Sequence, residues 1–175
     1  MQTTTTYSGT VYRCIPGASI APLSTEYSVT YGGRWNTAGS YPMIYTFLST
    51  QAARQWVSAT LSPYSLDEVQ PEILPDLMVL NVNLDDVADL TGTVGLQEVG
   101  LPSTYPQGYM GSSAWTVTQS VGAAIYQAGH TSILTRSTSA TEWSGQVEAW
   151  GEVAVFADQA PKPEIADRIS PGDWL

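Results

Sequence analysis

Leu77-Met78-Val79-Leu80-Asn81-Val82-Asn83-Leu84 opens as an unbroken apolar run and closes in strict alternation. That is the pattern of a strand buried on both faces that passes into one buried on a single face, and it predicts a central strand. Asp85-Asp86-Val87-Ala88-Asp89-Leu90-Thr91 then reads as a turn that carries the chain away. Upstream, Tyr7 to Arg13 has strand composition and stops at Ile15-Pro16-Gly17, and Pro42 to Phe47 reads as a further buried strand. Between them Ala18 to Gly39 has little periodicity and is expected as a long ordered loop with a short strand in it. Ser49 suits the N-cap of a helix from Thr50 to about Leu61, since Ala52, Ala53, Trp56, Val57 and Ala59 fall at helical spacing and Pro63 follows. Downstream, Val94 to Val99 fits a short helix and Trp115 to Tyr126 an amphipathic helix ending near Gly129. Ser132 to Thr135 and Val147 to Phe156 read as strands. Polar termini are expected over residues 1–6 and from about Asp158 to the end.

These elements predict an α+β fold: one domain over residues 1–175, with a central mixed or mostly antiparallel sheet and two principal helices. Strict βαβ alternation is absent and no glycine-rich phosphate loop follows a strand, which excludes dinucleotide-binding Rossmann and P-loop architectures. A chain of 175 residues buries roughly two thirds of its unfolded surface and needs no staple. Six basic residues against sixteen acidic ones give a formal charge of −10. Such a surface repels phosphate backbones and anionic lipid, so neither direct nucleic-acid binding nor a membrane partner is expected. A basic protein partner and a plain solubility role both remain open. Cys14 and His130 are single in the chain, so no disulfide and no metal site of the usual Cys/His kind is expected. The start Met1-Gln2-Thr3-Thr4-Thr5-Thr6 lacks the basic and apolar regions of a secretory signal, and no apolar run approaches about 18 residues. A cytoplasmic protein is expected.

Few residues carry obvious chemistry. Arg34 sits in Tyr31-Gly32-Gly33-Arg34-Trp35-Asn36, where glycines permit close backbone approach, a guanidinium grips a phosphate bidentately and an indole stacks on a ring. Spacing alone fits equally a turn arginine paired with a carboxylate. Arg13, at the end of a strand after Tyr12, is expected to be partly buried and so to need an anion, in the protein or in a ligand. Tyr45 fits a core tyrosine or a substrate-stacking one. His130 fits a helix-end capping role. No nucleophile elbow supports a hydrolase triad, and Asp85, Asp86 and Asp89 lack the spacing of a calcium loop.

In order and spacing these segments resemble the RES domain family, the toxin half of bacterial toxin-antitoxin pairs. Tyr12-Arg13 resembles the family's opening aromatic-arginine strand, and Gly33-Arg34-Trp35-Asn36 with Gly39 its Gly-Arg-aromatic-Asn segment. Ile44-Tyr45 and Ser49 to Ala53 are similar to its Tyr-ended strand and Ser-initiated helix. Val79 to Leu84, Asp89-Leu90-Thr91, Thr118-Gln119-Ser120-Val121-Gly122, and Gly129 with Ile133-Leu134-Thr135-Arg136-Ser137 are similar to its later segments. Two positions depart from the pattern: Arg136 stands where the family usually has Pro, and Gln55, in Ala52-Ala53-Arg54-Gln55, where its helix presents a Glu.

The resemblance implies a fold and active site related to ADP-ribosyltransferases, with NAD as substrate and no metal. It implies that Arg13 and Arg34 hold the NAD phosphates, with Tyr12, Trp35 and Asn36 around them. Tyr45 then stacks near nicotinamide and Ser137 hydrogen-bonds the nicotinamide ribose or amide. The implied reaction breaks the nicotinamide-ribose bond by hydrolysis or phosphorolysis, or transfers ADP-ribose to a protein. The implied partner is an Xre-like helix-turn-helix antitoxin. Gln55 removes the expected carboxylate, leaving three explanations: a disabled enzyme, another acid such as Glu68, Glu72 or Glu142 in its place, or a different helix register. Six tryptophans and ten tyrosines on a Ser/Thr-rich acidic chain also fit a secreted carbohydrate-binding β-sandwich. The two helical patterns speak against that alternative.

Overall fold

In the computed structural model, residues 3–17, 19–62, 64, 69–70, 72–107, 114–138 and 145–175 are described. The predicted central strand is longer than its apolar core suggests. β3 runs over Pro75–Leu90 and pairs antiparallel along its whole length with β1, Thr4–Pro16, Val11 lying opposite Leu80. Asp85 and Asp86 therefore do not turn the chain away. They form a bulge: Leu84 pairs with Tyr7 and Val87 with Thr5, so β3 carries one residue more than β1, and Asp86 takes φ 55°. A short polar side chain tolerates that left-handed conformation, which is why the pair also reads as a turn. The extra residue resets the alternation. Met78, Leu80, Val82 and Leu84 face the same core as Val87, while Ala88 and Leu90 point to the other side.

The second edge of β3 is shared. β6, Glu164–Ile169, pairs antiparallel with residues 77–81, and β4, Ser132–Arg136, pairs parallel with residues 87–90. From β4 the sheet continues antiparallel through β5, Gly151–Phe156, to β2, Met43–Phe47. The pairing of Phe47 with Tyr12 brings β2 back to β1. The five strands β1-β2-β5-β4-β3 thus close on themselves, with β6 outside the ring. One six-stranded sheet results, and it is mixed, as the sequence predicts.

The ring encloses Val11, Ile15, Ile44, Met78, Leu80, Val87, Leu134, Val153 and Val155. Helices cover its outer face. α2, Thr50–Leu61, lays Ala52, Ala53 and Val57 on Phe47 and Leu77, joined by Trp174 of α6, Pro171–Trp174. Its start is capped as predicted: Ser49 Oγ accepts from the Ala52 amide at 3.0 Å and donates to the Ala149 carbonyl at 2.6 Å. α4, Trp115–Gln127, and α3, Thr93–Glu98, cover the neighbouring patch around Ala88, Leu90, Ile133, Ala154 and Phe156.

Three further elements differ from the sequence reading. The expected loop strand before Gly39 is instead a six-residue helix, α1, Glu26–Tyr31. Val147–Trp150 forms a helical turn, α5, before β5 begins. Residues after Asp158 are not a tail: β6 and α6 return to the sheet, and Trp174 is buried beside Leu77. β6 escapes detection because five of its six residues are exposed and no apolar face marks it.

Candidate active site

Strand register lines up the polar residues of the outer face. Phe47 pairs with Glu152 and Glu152 with Thr135, so these three form one row across β2, β5 and β4. Tyr12 extends the row through Phe47. Tyr45 lies in the next row, opposite Ala154. Ser137, two residues beyond Thr135, follows β4 and is fully buried, its amide donating to the Trp150 carbonyl at 2.8 Å.

Over this row sits the loop that carries Arg34, and nearly every polar group of the loop is tied down. Gly32 has φ 74°, a conformation that favours glycine, and a Cβ on Gly33 would lie 2.6 Å from the Tyr45 hydroxyl. That hydroxyl accepts from the Trp35 amide at 3.0 Å and donates to Asn36 Oδ1 at 2.8 Å. Asn36 Nδ2 donates to the Ser28 carbonyl at 2.7 Å, and the Tyr41 hydroxyl to the Trp35 carbonyl at 2.6 Å. From α4, Gln119 Nε2 donates to the carbonyls of Gly33 at 2.9 Å and Asn36 at 3.2 Å. Gly122 lets the helix approach closely: a Cβ there would stand 1.9 Å from the Trp35 carbonyl oxygen. The Thr-Gln-x-x-Gly segment of α4 is therefore the clamp on the arginine loop.

The clamped guanidinium is buried, and its Nη2 is ion-paired with Glu152. Both residues are only 7% exposed, so the pair is held in a low-dielectric setting with its charges balanced. Burial pulls the Arg34 pKa down, but the Glu152 carboxylate, helped by Tyr105 and Tyr45, outweighs it and holds the guanidinium above its ordinary value. The Tyr105 hydroxyl also lies against the guanidinium, and Nη1 is buried. Arg34 also lies 5.4 Å from the Trp35 ring centroid. Burial raises the Tyr45 hydroxyl well above its usual range, so it stays protonated and able to donate.

The residues expected at the site thus separate. Arg34, Tyr45 and Asn36 belong to one hydrogen-bonded unit, and Trp35 with them, but as a wholly buried core side chain packed near Tyr105 rather than a free stacking surface. Arg13 does not join Arg34. Strand alternation sets it opposite to Tyr12, on the side of Val11 and Ile15, where one Nη donates to the Ser24 carbonyl at 2.7 Å. Burial lowers its pKa to about 10. Gln55 lies half-buried on α2, its amide oxygen buried without a hydrogen bond. Glu72 is exposed, and Glu68 and Glu142 lie outside the described residues. Glu152, the carboxylate that does reach the arginine, escaped the sequence reading. Its signal was a lone charge inside an otherwise apolar strand, Gly151-Glu152-Val153-Ala154-Val155-Phe156, which demands a buried partner.

Arg136, in the place of the family's proline, donates to the carbonyls of Thr91, Ser103 and Tyr105, each at 2.8 Å, and so ties β4 to the two segments beside it. His130 is buried at the end of α4 with Nδ1 3.2 Å from Asp86. The Cys14 thiol is pushed up to about 12 by burial, too high for a nucleophile at neutral pH. Among the described residues no group of three or more His, Cys, Asp or Glu side chains could hold a metal. No helix there is long and apolar enough to cross a membrane. Two cavities, of about 570 Å³ along α4 and about 350 Å³ between β1, β3 and α5, contain neither Arg34 nor Glu152. The pair is buried apart from these cavities, each residue keeping 7% of its surface exposed.

A family model for the RES domain matches residues 10–173, a span that contains the Arg34 loop, α2, the α4 clamp and Ser137. The chain belongs to the RES domain family. Among solved structures, the RES domain described here is similar to a chain of the M. tuberculosis MbcT-MbcA toxin-antitoxin complex, with a TM-score of 0.75 and 24% identity. The match covers 95% of this chain and 85% of that one, and establishes a shared fold. No curated protein matches.

The clamp on Arg34 gives a direct expectation. Gln119→Ala removes two hydrogen bonds to loop carbonyls and should cost about 1–3 kcal/mol of unfolding free energy, read from urea denaturation. It should also raise proteolytic cleavage within residues 32–36.

Proposed function

We propose that this RES domain is the toxin half of a toxin-antitoxin pair, and that it binds NAD and breaks the nicotinamide-ribose bond. The observation that carries this reading is the convergence of three family segments on one guanidinium. The Gly-Arg-Trp-Asn loop, the Tyr45 strand and the Gln119/Gly122 helix all serve to immobilise Arg34. So much ordering around one charged donor is the preorganisation that electrostatic catalysis requires, because the cost of orienting the donor is met in folding rather than in the reaction.

Departure of nicotinamide leaves positive charge on the ribose, so the reaction gains from donors set on the ligand oxygens and from a carboxylate near the ribose. Arg34 supplies the donor, and because the guanidinium is buried, ligand binding requires the residues over it to move. Tyr45, protonated and bound to Asn36, sets the loop that presents the guanidinium. Ser137, buried after β4, offers a hydroxyl at the end of the same face. Gln55 offers an amide where the family's helix places its Glu, and an amide gives no negative charge to the forming cation. Turnover by this chain is accordingly low, while NAD binding persists.

The solved relative belongs to a toxin-antitoxin complex, which supports an antitoxin partner here, in our reading of the Xre-like helix-turn-helix class and within the cytoplasm. The charge of −10 favours a partner with a basic docking surface.

The test is nicotinamide release from NAD by the purified chain and by Gln55→Glu, with and without phosphate. Restoring the carboxylate is expected to raise the rate by roughly a hundredfold. Phosphate dependence identifies phosphorolysis, its absence hydrolysis, and label transfer to protein ADP-ribosylation. No release by either form, with neither binding NAD, would refute the proposal.

A further inference from the structure

Among the described residues, Glu152 is a buried carboxylate that contacts the site and to which the resemblance assigns no role. It stands in the middle of the sheet, between Phe47 and Thr135, on a strand whose remaining residues are buried and apolar or glycine. Nothing about that position favours a carboxylate unless the guanidinium opposite needs it, because an unpaired charge there is strongly disfavoured. The contact is made through one terminal nitrogen of Arg34 only. Nη2 meets Glu152, while the Tyr105 hydroxyl lies against the guanidinium and Nη1 is buried. The loop behind Arg34 is held by Gln119, Tyr45, Tyr41 and Asn36. With the backbone held on one side and Nη2 on the other, few orientations of the guanidinium plane remain.

We infer that Glu152 is a positioning residue for the NAD-cleaving reaction, acting through Arg34: by occupying Nη2 it orients the guanidinium so that Nη1 is left as the donor to a ligand oxygen. The inference rests on the NAD reading. It has a chemical consequence. An arginine neutralised by its own carboxylate donates a directed hydrogen bond but attracts a free anion weakly, so the pair selects a ligand by geometry more than by charge. Inorganic pyrophosphate is therefore a poor ligand for this chain although NAD carries the same group.

The experiment is calorimetric titration of the full chain with NAD and, separately, with inorganic pyrophosphate. It compares the unchanged protein, Glu152→Gln, Glu152→Asp, Arg34→Ala and the double variant Arg34→Ala/Glu152→Gln, each below its own melting temperature. Glu152→Gln is expected to weaken NAD roughly ten- to hundredfold while tightening pyrophosphate, since the guanidinium is then oriented less and neutralised less. Glu152→Asp, which keeps the charge on a shorter arm, falls between. In the Arg34→Ala background the further change at Glu152 has no effect on NAD, which is the signature of a residue acting only through the arginine. A purely structural role lowers the melting temperature without altering NAD affinity, and that result in the folded Gln or Asp variant overturns the inference. Additive losses in the double variant overturn it as well. If NAD binding depends on Arg34 but not on Glu152, this inference alone falls; if the unchanged chain does not bind NAD, the proposed function falls with it.

Discussion

Glu152→Ala is expected to lower the unfolding free energy by about 3–5 kcal/mol, measured by urea or thermal denaturation. The cost comes from what is left behind. Arg34 is 7% exposed, its loop is tied at Gly33, Trp35 and Asn36, and neither the backbone nor the side chain can swing out to recover hydration. An uncompensated guanidinium in that position loses its Coulomb partner and regains no water. Arg34→Ala should cost a similar amount by stranding the carboxylate instead. Replacing both at once, with Arg34→Met and Glu152→Leu, should recover most of the loss, because similar apolar volumes fill the site without stranding a charge. If the single and double variants are equally unstable, packing rather than charge pairing governs the position. Recovery in the double variant would show that the fold does not require the charged pair, leaving function as the reason for it.

The second large effect lies on α4. Gly122→Ala puts a methyl carbon 1.9 Å from the Trp35 carbonyl oxygen and 2.8 Å from its carbonyl carbon, both backbone atoms that cannot rotate away. The helix must retreat or the loop must shift, and either movement stretches the two Gln119 hydrogen bonds. An overpacked core contact of this kind costs about 1–3 kcal/mol and, with the Gln119 bonds disturbed, the upper end is expected. Thermal denaturation reads the stability. The functional effect should exceed it: NAD affinity should fall even in the fraction that remains folded, because Arg34 moves with Trp35. A variant with unchanged stability and unchanged affinity would show that α4 does not position the loop.

Much of the architecture was legible because burial and local chemistry agreed. The Ser49 cap and α2 follow from a hydroxyl before a helical apolar stripe, and both are found where expected. The strand through Ile44 and Tyr45, the helix from Trp115 and the strand from Ser132 are likewise present. Elements failed where the local signal had two causes. Asp85-Asp86 serves equally as a turn and as a bulge, and only pairing with β1 across 80 residues separates them. β6 shows no apolar face because it joins the domain through its ladder and through Arg168, which pairs with Asp76, with only Ile169 packed on the core.

For the site the division is similar. Arg34 was conspicuous because glycines and an aromatic surround it, but the same context was compatible with a ligand or a protein carboxylate, and Glu152 lies 118 positions away. Trp35 and Asn36 carried the look of ligand-binding residues. Their actual partners, Tyr105, Ser28 and the Tyr45 hydroxyl, belong to other segments, so their role in holding the loop was invisible locally. Arg13 joins Arg34 only through the family resemblance, its own context fitting a protein or a ligand anion equally. Strand parity beside Tyr12 separates the two, and that parity becomes informative only once Tyr12 is known to pair with Phe47.

The central claim, that Arg34 holds NAD, is tested most directly by equilibrium binding, since binding does not depend on the carboxylate that Gln55 replaces. Calorimetric titration of the purified chain and of Arg34→Ala with NAD makes the comparison. Saturable binding by the unchanged chain, lost or weakened at least roughly tenfold in Arg34→Ala, is the predicted result. No binding by the unchanged chain, or equal binding by both, would contradict it.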